Sequence, residues 1–91
     1  IQAGYNGAIT GSAANTDVNG SVVINNYANI TSGGHGIHAY NYGNGDVTVN
    51  DGAGTAVTGA VAGIKASAVG GGTGDVSVNV GANAQVTGTS G

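Results

Sequence analysis

No cysteine, proline, methionine, tryptophan, phenylalanine, leucine or arginine occurs in this 91-residue chain. Without cysteine there is no disulfide framework and no thiolate metal site, and the redox compartment is left open. Positive charge is nearly absent as well. Lys65 stands against four aspartates, and the formal net charge is −3. Nucleic acid is thereby excluded as a partner, because neutralising phosphates needs a basic patch. An anionic membrane surface is excluded for the same reason. No apolar run approaches the roughly 18 residues that a membrane-spanning helix needs. The chain begins with Ile, carries no signal-peptide pattern, and is expected to be a piece of something larger.

Large apolar side chains are scarce too: Val and Ile are the only large aliphatics, and four Tyr are the only aromatics. That is thin material for a conventional core. The abundant residues are Gly, 20 of them, together with Asn, Ser, Thr, Ala and Val. Such a composition can signal disorder. Two features oppose that reading: Val and Ile alternate with polar residues in short runs, and those runs recur.

The repeat has three phrases. Gly36-Ile37-His38-Ala39 returns as Gly63-Ile64-Lys65-Ala66, with Ile1-Gln2-Ala3 as its earlier copy. Gly45-Asp46-Val47-Thr48-Val49-Asn50 returns as Gly74-Asp75-Val76-Ser77-Val78-Asn79, and more loosely as Gly20-Ser21-Val22-Val23-Ile24-Asn25. Val57-Thr58-Gly59 returns as Val86-Thr87-Gly88 and Ile30-Thr31-Ser32. The order is constant. The period is 27 residues from Ile37 to Ile64, 29 from Val47 to Val76, and 36 from Ile1 to Ile37. The excess in the first unit is assigned to a loop insertion over residues 6–19.

Each phrase reads as a short strand, with Val47 and Val49 on one side and Thr48 on the other. Three strands of about five residues joined by turns of about four make one triangular coil. A helical solenoid is excluded, since the phrases are Gly-rich and β-branched and lack a 3.6-residue period. The chain is therefore expected to be all-β, a single parallel β-solenoid over residues 1–91. Its coils would be approximately 1–36, 37–63 and 64–91.

Stacking at about 4.8 Å places like residues in columns. Ile1, Ile37 and Ile64 would form one interior column; Val22, Val47 and Val76 another; Ile30, Val57 and Val86 a third. Asn25, Asn50 and Asn79 would form an amide ladder, each side chain bonding the next. Ordinary turn asparagines in a left-handed conformation are the alternative. Glycines before Asp46 and Asp75, and after Thr58 and Thr87, fit corners needing positive φ. Order then comes from backbone pairing between coils, which exists only by repetition. The exposed ends invite neighbouring coils of a parent protein or end-to-end self-association.

Gly-Ile-x-Ala, Gly-Asp-Val-x-Val-Asn and Val-Thr-Gly in series resemble the β-helical passenger repeats of bacterial autotransporter adhesins. The resemblance implies a right-handed parallel β-helix, exported to the outer surface of a Gram-negative cell. It supplies no catalytic residue, because such passengers are mostly stalks or adhesive faces.

Several side chains are candidates for more specific chemistry. Asp46 and Asp75 align one coil apart, at a spacing reminiscent of a glycosidase pair, or simply cap their Gly-Asp turns. Gly71-Gly72-Thr73-Gly74-Asp75 partly matches a calcium nonapeptide, with the Asp one position early and the wrong period. His35 and His38 flank Gly36-Ile37 as a two-imidazole pair or as solvated residues. Thr31, Thr58 and Thr87 would form an outward hydroxyl column, and Val23, Thr48 and Ser77 another on a different face. That arrangement is poorly matched to ice. Asn29-Ile30-Thr31 has the form of a glycosylation sequon. Tyr5, Tyr40 and Tyr42, read as turn residues following the first strand of their coils, are candidates for contact with a glycan or a host-surface protein. Nothing in the sequence calls for a cofactor. The expected role is a structural or adhesive rod segment and not an enzyme.

Overall fold

A computed structural model of the chain describes residues 1–6, 14–69 and 74–90. Among them are nine strands and no helix: β1 (Gln2–Tyr5), β2 (Val22–Asn26), β3 (Ile30–Ser32), β4 (Ile37–Asn41), β5 (Val47–Asp51), β6 (Ala56–Gly59), β7 (Ile64–Ala68), β8 (Val76–Val80) and β9 (Gln85–Gly88). They form three sheets, ordered β1-β4-β7, β2-β5-β8 and β3-β6-β9, and every pairing is parallel. Successive strands thus belong to successive sheets, and every third strand returns to pair with its predecessor. This is a parallel β-helix of about three coils.

The register places the phrases on one another. Val22, Val47 and Val76 are successive partners, as are Ile24, Val49 and Val78. Ile30, Val57 and Val86 stack in the third sheet, and Ala3, Ala39 and Ala66 in the first. The physical cause is the two-residue period. A slip by one residue would turn every inward-facing Val and Ile to the solvent side, so burial of one face holds the register. The core is Val22, Ile24, Ile37, Ala39, Val47, Val49 and Val57, with Ala3, Ile30, Ile64, Ala66 and Ala68 packed against it. Pairing continues through the corners: Val22 N donates to Asp46 O at 2.8 Å and Val47 N to Asp75 O at 2.9 Å.

The corner glycines act differently from the expectation above. Among the described residues only Gly54 and Asn83 have positive φ, 72° and 59°. These two occupy equivalent places in the turns that follow β5 and β8, where Gly and Asn are the residues that tolerate the left-handed region. Gly45, Gly59 and Gly74 are needed for space. A Cβ on Gly45 would overlap the Gly20 carbonyl, one on Gly74 the Gly45 carbonyl, and one on Gly59 the Ala62 carbonyl. The requirement arises from the neighbouring chain segment and not from the local backbone angle.

The expected insertion over 6–19 includes residues 7–13, which lie outside the described residues, as do Gly71, Gly72 and Thr73 of the calcium-like phrase. The described remainder, residues 14–19, runs alongside the turn after β4. Asn15 N donates to Tyr42 O at 2.7 Å, and Asn44 N to Val18 O at 2.7 Å. Asn44 Nδ2 also reaches Thr16 O at 2.8 Å and Asn19 Oδ1 at 2.9 Å.

Candidate functional site

Three groups of polar side chains stand out in this fold. The first is a ladder on the outward face of the second sheet. Asn50 Nδ2 donates to Asn25 Oδ1 at 2.9 Å, and Asn79 Nδ2 donates to Asn50 Oδ1 at 2.8 Å. Parallel in-register pairing brings the three amides to one-coil spacing, and each amide then has a donor facing an acceptor. The bonds all point toward the first coil. The ladder ties coils together and leaves no side chain aimed at a ligand.

The second group lies inside the corner after the second sheet. Alternation along β2, β5 and β8 carries Asn26, Asp51 and Val80 inward. Asn26 and Asp51 are buried. Asn26 Nδ2 donates to Asp51 Oδ1 at 2.9 Å and to Ala28 O at 2.8 Å. Thr55 Oγ1 donates to Asp51 Oδ1 at 2.7 Å and to Gly52 O at 2.9 Å. One coil later Val80 replaces Asp51 and Ala84 stands at the place of Thr55, so polar partners are present or absent together. Asp51 Oδ2 has no hydrogen-bond partner among the described residues. The network was hidden in the sequence because the second phrase seemed to end at its Asn. The clue was the period of two, which runs on to positions 26, 51 and 80.

The third group is the outward face of the first sheet, and it alone has the form of a binding site. His38 and Tyr40 alternate outward along β4, and Tyr42 follows directly after the strand. Ring centroids lie 5.0 Å apart from His35 to His38, 5.1 Å from His38 to Tyr40 and 6.2 Å from Tyr40 to Tyr42. The result is a row of four tilted rings along one strand. Lys65 and Ser67 flank it from β7, and Gln2 and Asn6 from the first coil; with His38, Tyr40 and Tyr42 they line an open groove of about 300 Å³. Gly4 makes the row possible. A Cβ there would collide with the Tyr40 ring, so the ring lies against bare backbone. Tyr40 Oη donates to Asn6 Oδ1 at 3.4 Å. Burial first, then the charges of His35 and Lys65, hold His38 below the usual histidine range. His35 Nδ1 is shielded from solvent and has no partner among the described residues.

This geometry separates the three tyrosines grouped by sequence. Tyr40 lies within β4 and Tyr42 just beyond it, and both line the groove. Tyr5 ends β1, pairs in register with Asn41, and lies over Gly20 in a different depression with Ser21, Val22 and Val23. Tyr5 is therefore not part of the aromatic row, because it and Tyr40 occupy opposite phases of the strand alternation. His38, Lys65 and Gln2 share one column of the first sheet. The continuous row from His35 to Tyr42 was missed, although the spacing 38, 40, 42 signalled it.

The remaining candidates have structural partners. Asp46 Oδ1 accepts the backbone N–H of Asp75 at 2.9 Å, so the first carboxylate of the pair caps the next coil's turn. Asn29 Oδ1 accepts from Ala56 N at 2.8 Å, bridging two coils at the sequon. Thr31, Thr58 and Thr87 form one hydroxyl column on the third sheet. Among the described residues no group of three or more His, Asp or Glu is gathered that could hold a metal ion. Compared with known proteins, the chain gives no significant match to any protein-family model, curated protein or solved structure.

Proposed function

We propose that this chain is a rigid rod segment of an exported bacterial surface protein, with a structural and adhesive role and no catalysis of its own. The observation that carries the reading is the shared register of all three sheets, in which like residues pair from coil to coil. A solenoid of this kind extends by repetition, and its length is set by the number of coils. The polar groups support the same reading. The Asn ladder, the Asp46 cap and the Asn29 bridge all join one coil to the next. The cell-surface location comes from the likeness to adhesin passenger phrases, and it is tested by antibody labelling of intact source cells. Small-angle scattering on a head-to-tail tandem of the chain tests the rod. Its long dimension should grow by about 4.8 Å per added coil at constant cross-section. A tandem of unchanged length and doubled cross-section would sink the reading.

A second reading has an observation of its own. The ring row and polar rim of the first sheet favour glycan binding at His38, Tyr40 and Tyr42. Apolar ring faces beside hydroxyl, amide and amine groups match the alternating faces and edges of a saccharide. Calorimetric titration with a mixed panel of oligosaccharides, repeated with Tyr42→Ala, checks it. Saccharide binding that Tyr42→Ala leaves intact would remove this face from consideration.

A further inference from the structure

Charge is distributed unevenly over the coil. The chain's single lysine lies on the outward face of the first sheet, and both histidines accompany it there. The acids lie elsewhere. Asp46 and Asp75 precede the strands of the second sheet, Asp51 is buried at the end of β5, and Asp17 belongs to the segment beside the turn after β4. None of the four lines the groove. A chain of net charge −3 thus presents one face with an ammonium group and no carboxylate. Lys65 is exposed, and among the described residues no hydrogen bond or ion pair holds it. It stands beside His38 across the β4–β7 pairing, at the edge of the ring row.

We infer that the first-sheet groove binds an acidic oligosaccharide, its sugar faces packed along Tyr40 and Tyr42 and a carboxylate or sulfate paired with Lys65. The inference rests on the glycan reading above and adds the charge of the ligand. An extended ligand suits the site because the rings follow one strand in a line and are not gathered into a cup. The rim supplies the remaining recognition: Ser67 offers a hydroxyl on the Lys65 side, and Gln2 an amide on the other. A single exposed ammonium gives selectivity more than raw affinity, and its contribution is screened by salt.

The test is calorimetric titration of the intact chain with an oligogalacturonate, an uncharged glucan oligosaccharide of equal length, and oligo-aspartate as a charge control. The oligogalacturonate should bind at least about tenfold more tightly than the glucan, and this preference should shrink on adding salt. Lys65→Gln should abolish the preference, Lys65→Arg should retain it, and Tyr42→Ala should weaken both sugars. Ser77→Ala, on the second sheet, should change nothing. Lys65 is exposed, so its variants should melt as the parent does. Equal binding of both sugars, lost in Tyr42→Ala, would overturn the acidic preference and leave glycan binding standing. Oligo-aspartate binding as tightly as the sugar would reduce the site to bare charge. Failure of every saccharide to bind would overturn both readings.

Discussion

The middle and last coils carry the same apolar residues in their core columns, and at those positions they differ in the number of neighbouring coils. Val47, Val49 and Val57 in the middle coil are 0% exposed, whereas their partners Val76, Val78 and Val86 are 45%, 44% and 40% exposed. Their local sequences are nearly interchangeable, Val47-Thr48-Val49-Asn50 against Val76-Ser77-Val78-Asn79. Matching core valines therefore differ in burial because a coil's interior is completed by the coils above and below it. The other end is not equivalent: Val22 and Ile24 are 6% and 5% exposed, with Tyr5 lying over Gly20 beside them. Stability in this chain belongs to interfaces between coils and not to individual coils.

The comparison is broken most forcefully by charge. Val49→Asp buries an unpaired carboxylate and should leave the chain unfolded at room temperature, while Val78→Asp should fold with a lowered melting temperature. Circular dichroism on heating separates the two, and equal damage would contradict the burial difference. Truncation gives a graded version. Val49→Ala should cost about 2–3 kcal/mol in urea unfolding and Val78→Ala about 1 kcal/mol. Adding a fourth coil copied from residues 64–91 should raise the cost of Val78→Ala to that of Val49→Ala. A gap that survives the added coil would show that neighbours are not its cause.

The ladder offers a smaller contrast. Asn50 both donates and accepts, whereas Asn79 only donates within it. Asn50→Ala should cost about 1–2 kcal/mol and Asn79→Ala about half as much. Equal midpoint shifts in urea would mean that the amides are solvated and uncoupled.

The smallest effect is a pH dependence. His38 is held below the usual value by burial and by His35 and Lys65, with Gln2 facing it from the first coil. The unfolded chain, with its histidine near about 6.5, then takes up the proton first. This contribution to stability is complete above about pH 6.5 and is lost as the pH falls through the depressed folded value. The urea midpoint should decline slightly between pH 7.5 and pH 5, and His38→Gln should flatten the decline. A midpoint that rises toward acid would reverse the sign and contradict the placement of His38.

The columns were legible because a two-residue alternation and a tandem repeat identify partners without any knowledge of the turns. Val47 could be matched to Val76, and Asn50 to Asn79, from spacing alone. What escaped was set by residues far away in sequence. Gly45 looks like a turn glycine, yet it is required by the Gly20 carbonyl of the preceding coil. Asn26 and Asp51 look like turn residues, yet the strand runs one position further and takes them inside, where Thr55 and each other satisfy most of their hydrogen bonds. The groove was half legible. Tyr40 and Tyr42 stood out as aromatics, but their separation from Tyr5 and their line with His35 and His38 follow from strand phase, which a turn assignment conceals.

Cross-strand nuclear Overhauser effects in solution test the coil-on-coil pairing most directly. The account predicts backbone contacts in ascending order, Val47 with Val76, Thr48 with Ser77 and Val49 with Val78, together with a side-chain amide contact between Asn50 and Asn79. A descending order, with Val47 near Asn79 and Asn50 near Val76, would mean antiparallel strands, and the solenoid, its rod and its binding face would fall together.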